Sequence, residues 1–121
     1  MEFKFIKENR DENKRKAIFK DMKQKYPDKI PIVIEKDPKA KMKDISKTKY
    51  LIPRYSNSSE FFNLIRKKIE IEEGEALFML VKGIYTLNPN NDLSEIYEKY
   101  HDKDGFLYIV YSSENTLGSN F

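Results

Sequence analysis

The sequence predicts an α+β fold: a four-stranded mixed sheet with helices packed on it and a helical extension at the N-terminus. Three observations lead there. Four short runs of branched and aromatic residues, bounded by Pro, Gly or charged residues, read as strands. Two stretches between them repeat apolar residues at helical spacing, each beside an Asn or Asp with a Glu three positions on. The first 27 residues are strongly charged, carry a narrow apolar edge and stop at Pro27.

In chain order, residues 1–27 form the helical arm. Asp11 and Asn13 offer caps, and Ile18 and Met22 lie four apart on one side. An arm this polar lies on the surface and covers something along that edge. Ile30-Pro31-Ile32-Val33-Ile34 is a strand apolar on both faces, and Pro31 places it near a sheet edge or at a bulge. Asp37-Pro38 opens a lysine-rich connection, and Tyr50-Leu51-Ile52 is a second strand stopped by Pro53. Asn57 and Glu60 cap a helix whose buried face is Phe61, Leu64, Ile65 and Ile69, with Arg66-Lys67-Lys68 outside. Residues 76–81 are too short for a buried helix and read as a central strand. Residues 82–91 read as a long loop. Asp92 and Glu95 cap a shorter helix carrying Leu93, Ile96, Tyr97 and Tyr100. Residues 106–111 are a strand with bulky side chains on both faces, and 112–121 form a polar, flexible tail.

Two strands, a helix across them, then two more strands describe a ubiquitin-like β-grasp. A mixed sheet with one helix-covered face is the general alternative. The domain organisation is therefore a helical arm at 1–27, a core at 28–111 and a tail at 112–121.

Composition limits the chemistry. The chain has 121 residues and no cysteine, which excludes disulfides, thiolate metal sites and a cysteine nucleophile. His101 is the single histidine and sits at a helix end among charged neighbours, where a surface or capping role is expected. Glu70, Glu72, Glu73 and Glu75 lack the spacing of a metal loop, and four glycines make no phosphate-binding loop. Neither enzyme activity nor a bound metal or cofactor is expected. No apolar run reaches the roughly 18 residues needed to span a bilayer, and the N-terminus begins no signal peptide, so membrane contact would need an attached group. Residues 1–56 carry 17 Lys/Arg against 9 Asp/Glu, while 57–121 carry 6 against 11. A basic half of this kind can serve nucleic acid, anionic lipid or acidic peptides. It lacks interleaved exposed aromatics, which argues against nucleic acid. The arm's basic face, Lys14, Arg15, Lys16, Lys20 and Lys23, reads as solvated surface.

Three stretches resemble the autophagy ubiquitin-like modifiers, the family of the GABA-receptor-associated protein and the microtubule-associated light chain. They are Lys25-Tyr26-Pro27-Asp28-Lys29-Ile30-Pro31-Ile32-Val33-Ile34-Glu35-Lys36; Lys49-Tyr50-Leu51-Ile52-Pro53 with Phe61 and Leu64-Ile65-Arg66-Lys67-Lys68-Ile69; and Asp102-Lys103-Asp104-Gly105-Phe106-Leu107-Tyr108 running to Glu114-Asn115-Thr116-Leu117-Gly118. The resemblance implies that an aromatic-x-x-aliphatic motif from a cargo receptor adds as a strand beside Tyr50-Leu51-Ile52. Ile18, Met22, Pro31, Val33, Lys49, Leu51 and Phe106 match the aromatic pocket. Tyr50, Ile52, Pro53, Phe61, Leu64 and Ile65 match the aliphatic one. Lys29, Lys47, Lys68 and again Lys49 would rim the groove and attract acidic flanks. After Pro53 the family's usual leucine is missing, and Arg54-Tyr55-Ser56 stands there instead. Phe78-Met79-Leu80 matches a second docking stretch that some members use, though core is the plainer reading of a central strand.

The resemblance also implies a fate for the tail. A cysteine protease would remove Ser119-Asn120-Phe121. The exposed Gly118 carboxylate would pass through thioesters on activating and conjugating enzymes to the amine of phosphatidylethanolamine. The protein would be cytoplasmic and, once lipidated, bound to autophagosomal or related vesicle membranes. Leu117 stands where the family usually has an aromatic residue. That departure and Ser56 keep open a non-conjugated peptide-binding adaptor.

Overall fold

Alternation of side chains along the strands decides the architecture. The structure, a computed structural model, describes residues 1–114. Its elements are α1 (Lys4–Glu8), α2 (Glu12–Lys25), β1 (Lys29–Lys36), β2 (Lys49–Pro53), α3 (Ser58–Ile69), β3 (Phe78–Val81), β4 (Tyr85–Leu87), α4 (Leu93–Tyr100) and β5 (Leu107–Ser112). The sheet order is β2-β1-β5-β3-β4; β1 and β5 are parallel, and the other neighbours antiparallel. This is the ubiquitin-like fold.

On β1 and β5, successive side chains go to opposite faces, and both faces are buried. Ile30, Ile32, Ile34, Leu107, Ile109 and Tyr111 join the larger core under α3 and α4, which supply Phe61, Ile65, Ile69 and Leu93. Val33, Tyr108 and Val110, with Phe106 just ahead of β5, join a second cluster with Phe3, Phe5 and the half-buried Ile6, Ile18, Phe19 and Met22 of the N-terminal arm. Helices thus cover both faces of the sheet, which corrects the alternative of one covered face. Each large side chain sealed this way contributes about 1.5–3 kcal/mol from burial.

Local signals set the helix ends. Asp11 and Asn57 accept hydrogen bonds from the amides of Asn13 and Glu60, capping α2 and α3. Asp92 accepts from Ser94 at the start of α4. Glu70, in the left-handed conformation, ends α3, with Arg66, Lys67 and Lys68 facing its negative end.

Two expectations change. Pro31 lies in β1, which has a neighbour on each side rather than an open edge. Its missing amide is tolerated because pairing with β5 begins only at Ile32, so Pro31 has a strand partner on the β2 side alone. The sheet also has a fifth strand. Lys82 and Gly83 both take positive φ and turn the chain back on β3. β4 buries only Leu87, so its three residues lack the alternation that would reveal a strand.

Candidate functional site

β2 is an outer strand of the sheet. Its pairing with β1 occupies one side, Lys29↔Pro53 through Val33↔Lys49, and leaves a line of amides and carbonyls along the other. Tyr50 and Ile52 turn inward and are buried, whereas Leu51 is half-buried and Lys49 and Pro53 are exposed. A strand added here would alternate its own side chains between the two faces, meeting a different apolar cluster on each.

On the arm face, Val33 and Phe106 form a sealed floor with Pro31 also buried, and Ile18 and Met22 of α2 pack over it half-buried. Lys49 and Leu51 form the open side of this set. The arm enters further than the sequence indicates. Phe5 meets Phe106 edge-on at 5.2 Å, and the Lys49 Nζ lies 5.5 Å from the Phe5 ring centre. Phe19 packs edge-on against Phe106 at 6.0 Å. Phe3 and Phe5 lie outside the apolar edge that the sequence marks at Ile18 and Met22; their alternate spacing around Lys4 is the signal that points to them.

On the other face, Tyr50, Ile52, Phe61 and Ile65 belong to the main core, with Leu64 half-buried against it. Tyr50 and Phe61 meet edge-on at 6.3 Å. Pro53 lies exposed at the strand end and joins neither cluster. The Tyr50 hydroxyl is buried with no hydrogen-bond partner among the described residues, and burial raises its pKa. Of the rim cations, Lys47 is exposed and sits 5.0 Å over the Tyr50 ring. Lys29 is half-buried, 5.4 Å over the Tyr26 ring, and Lys68 is exposed on α3. The structure therefore brings the two sets to opposite faces of one open strand. Gly118 lies outside the described residues.

Two buried polar devices hold the arm against the arm-side floor. The Glu35 carboxylate accepts the Lys4 amide at 2.6 Å and the Phe5 amide at 3.0 Å, satisfying donors that the start of α1 leaves free. Arg15, expected on the solvated basic face, is instead buried. Its Nε donates to Asp104 at 2.8 Å, and its Nη1 donates to the carbonyls of Asn9 and Arg10. Asp104, 1% exposed, also accepts the Phe106 amide and the Tyr108 hydroxyl. Burial alone would lower the Arg15 pKa; the bond to Asp104 and the nearby Tyr108 and Asp102 carry it above its usual value. Tyr108 is held protonated by burial and by the Asp104 carboxylate.

His101 is exposed at the C-terminal end of α4. Among the described residues no group of three His, Cys, Asp or Glu could hold a metal ion, and no helix is long and apolar enough to cross a membrane. Phe78 is half-buried, and Met79 and Leu80 are buried in β3.

The family described as "Autophagy protein Atg8 ubiquitin like" matches residues 14–118. The chain is 42% identical over 116 residues to Autophagy-related protein 8e of Arabidopsis thaliana, covering 95% of this chain and 93% of that one. It is 44% identical over 99 residues to Autophagy-related protein 8a of the same plant, covering 81% and 80%. Among solved structures it resembles the crystal structure of Trypanosoma brucei ATG8 with a TM-score of 0.85 and 28% identity, covering 93% of this chain and 95% of that one.

Proposed function

The chain belongs to the autophagy ubiquitin-like Atg8 family, and from that premise we propose that it works as a lipid-anchored adaptor that captures cargo receptors. Membership makes it a ubiquitin-like modifier and not an enzyme. As a member akin to the GABA-receptor-associated and light-chain proteins, it binds peptides along β2 and is conjugated through its tail.

The observation that carries the binding half is the open outer side of β2, set between two apolar clusters on opposite faces. A receptor segment of the form aromatic-x-x-aliphatic would extend the sheet there. Anchors three apart in an extended chain point to opposite faces, which matches a pocket on each. Main-chain bonds to β2 give register. The aromatic anchor sits against Ile18, Met22, Lys49 and Leu51 above the Val33–Phe106 floor, and the aliphatic anchor against Tyr50, Ile52, Phe61 and Leu64. Lys29, Lys47, Lys49 and Lys68 draw in acidic flanks. An affinity of about 1 µM suits a peptide that must order itself on binding.

The conjugation half rests on the tail. The family match runs to Gly118, and three residues follow it. We assign Gly118 as the point of cleavage and of transfer to phosphatidylethanolamine. A residue without a Cβ suits narrow active sites and leaves its carbonyl open to attack. The cysteine-free chain is then the passenger on the thioester-forming enzymes. The arm, the core through Ser112 of β5 and the tail beyond it act as cover, binding sheet and tether, in the cytoplasm and then on the autophagosomal membrane. Leu117 before the glycine favours one other reading, a peptide-binding adaptor that stays unconjugated.

Titrating an aromatic-x-x-aliphatic peptide into labelled protein tests the binding half. Amide resonances of residues 49–52 should shift most, and a peptide lacking the aromatic residue should shift none. Shifts confined to α4 or β4, or no binding at all, would end this reading.

A further inference from the structure

The place where the chain leaves the sheet limits what can face a membrane. β5 ends at Ser112, and residues 113–118 lead from there to Gly118. A chain spans at most about 3.6 Å per residue, so a group attached at Gly118 lies within roughly 20 Å of the end of β5. The end of β1 lies there too, because the two strands are parallel and Lys36 pairs with Tyr111. The loop after β1 therefore starts at the root of the tail, where the Asp37 amide bonds to the Tyr111 carbonyl at 2.9 Å.

That loop, residues 37–48, is rich in lysine and braced. The Ala40 amide bonds to the Asp37 carbonyl at 2.9 Å, a tight turn with Pro38 and Lys39 at its tip. The Lys36 ammonium donates to the Ala40 carbonyl at 2.9 Å, and the Tyr111 hydroxyl to the Lys43 carbonyl at 2.7 Å. Ile45 is buried in the main core, and Met42 packs half-buried against it.

Lys39 and Lys41 stand exposed on this brace and take part in no ion pair among the described residues. Their neighbours are engaged: Lys36 lies 3.9 Å from Asp44, and Lys43 lies 2.9 Å from Glu70. The Asp37 carboxylate accepts the Lys39 amide. The exposed Glu72, Glu73 and Glu75 precede β3 in a turn that Arg66 ties back to α3, bonding to the Glu75 carbonyl at 2.7 Å. Glu114 is exposed two residues past β5. On the arm, by contrast, Lys16 pairs with Glu12, Lys25 pairs with Asp21, and the Lys23 Nζ is held by two carbonyls.

We propose that Lys39 and Lys41 form a membrane-facing platform, which meets anionic lipid headgroups once the tail is anchored. The inference rests on the conjugation reading above. The two acyl chains of a phospholipid already hold the protein to a bilayer, so the platform sets orientation rather than attachment. With this end of the sheet toward the lipid, the outer side of β2 opens sideways and stays clear for a receptor strand. Each lysine brought to an anionic surface is worth about fivefold in its favour.

The test supplies the anchor by chemistry. The chain has no cysteine, so Gly118→Cys provides one thiol for coupling to a maleimide-bearing phospholipid in vesicles. Vesicles of phosphatidylcholine alone are compared with vesicles that also contain phosphatidylserine. Acetylation by an N-hydroxysuccinimide ester, read lysine by lysine in a mass spectrometer, reports which amines the surface covers. Phosphatidylserine should slow the labelling of Lys39 and Lys41 about fivefold, leave Lys14 and Lys16 unchanged, and lose its effect in high salt. Equal labelling of Lys39 and Lys41 on the two kinds of vesicle would overturn the platform. Protection that falls equally or chiefly on Lys14 and Lys16 would overturn it too, since the arm would then face the lipid. The coupled thiol stands in for natural conjugation, so failure here leaves that reading intact, and its own failure shows in the mass of the processed chain.

Discussion

Replacing Asp104 by alanine gives the sharpest test of how the N-terminal arm is fixed. The side chain is fully buried and receives three donors: Arg15 Nε, the Phe106 amide and the Tyr108 hydroxyl. Alanine leaves a guanidinium, 9% exposed, with its carbonyl contacts but without a counter-charge, and it strands an amide and a phenol. Removing one partner of a buried pair costs about 3–5 kcal/mol. That is a large share of the roughly 5–15 kcal/mol that holds a domain together. For a chain of this length each kcal/mol moves Tm by about 3–5 °C, so the transition should fall by about 10–20 °C. Asp104→Asn keeps an acceptor for the Phe106 amide and should cost less. Pairing Asp104→Ala with Arg15→Met removes the stranded charge and should cost less than the sum of the two single changes. Differential scanning calorimetry on the unaltered protein, the three single variants and the double variant reads this directly. A shift below about 3 °C for Asp104→Ala, or strict additivity in the double variant, would refute the buried-pair account.

Other outcomes follow from the same contacts. Glu35→Ala removes the acceptor of the Lys4 and Phe5 amides and should cost about 1–3 kcal/mol; it should also speed tryptic cleavage after Lys4 and Lys7, and an unchanged cleavage rate would contradict the latch. Gly105→Ala meets both a φ of +100° and the Phe19 ring 2.5 Å from the new Cβ, so Tm should fall. In a Phe19→Ala background the same substitution should cost less than in the unaltered protein but not nothing, because the backbone strain of about 1–3 kcal/mol remains. Burial raises Tyr97 and Tyr111 to about 12, so each holds its proton more tightly folded than unfolded. Stability is then intact below about pH 10 and falls as pH climbs through 12. A share of the tyrosinate absorbance that appears only together with unfolding is the expected result, and complete ionisation of all eight tyrosines before unfolding would count against it.

What the sequence revealed and what it concealed divide along a physical line. α3 was plain because Phe61, Leu64, Ile65 and Ile69 keep helical spacing behind a capping Asn57. β1 and β5 were plain because continuous bulky runs mean burial on both faces. These signals are local. Arg15 was read as surface because its neighbours Lys14 and Lys16 are, yet its partner lies 89 residues away, a pairing no local pattern encodes. Phe3 and Phe5 were overlooked for a similar reason: they join a floor made by Val33 and Phe106. β4 was lost because only one of its three residues is buried. The candidate site shows the same division. Resemblance located the two anchor pockets, while strand alternation in the fold assigned them to opposite faces and left Pro53 outside both.

The most direct measurement is the intact mass of the protein after incubation with lysate of its own cells, alongside a relative that the lysate processes. A lipid-conjugated modifier should lose the mass of Ser119-Asn120-Phe121 and end at Gly118, and a Gly118→Ala variant should stay whole. An unaltered chain that keeps its full mass while the relative is cut would contradict conjugation. The peptide-binding sheet alone would then stand.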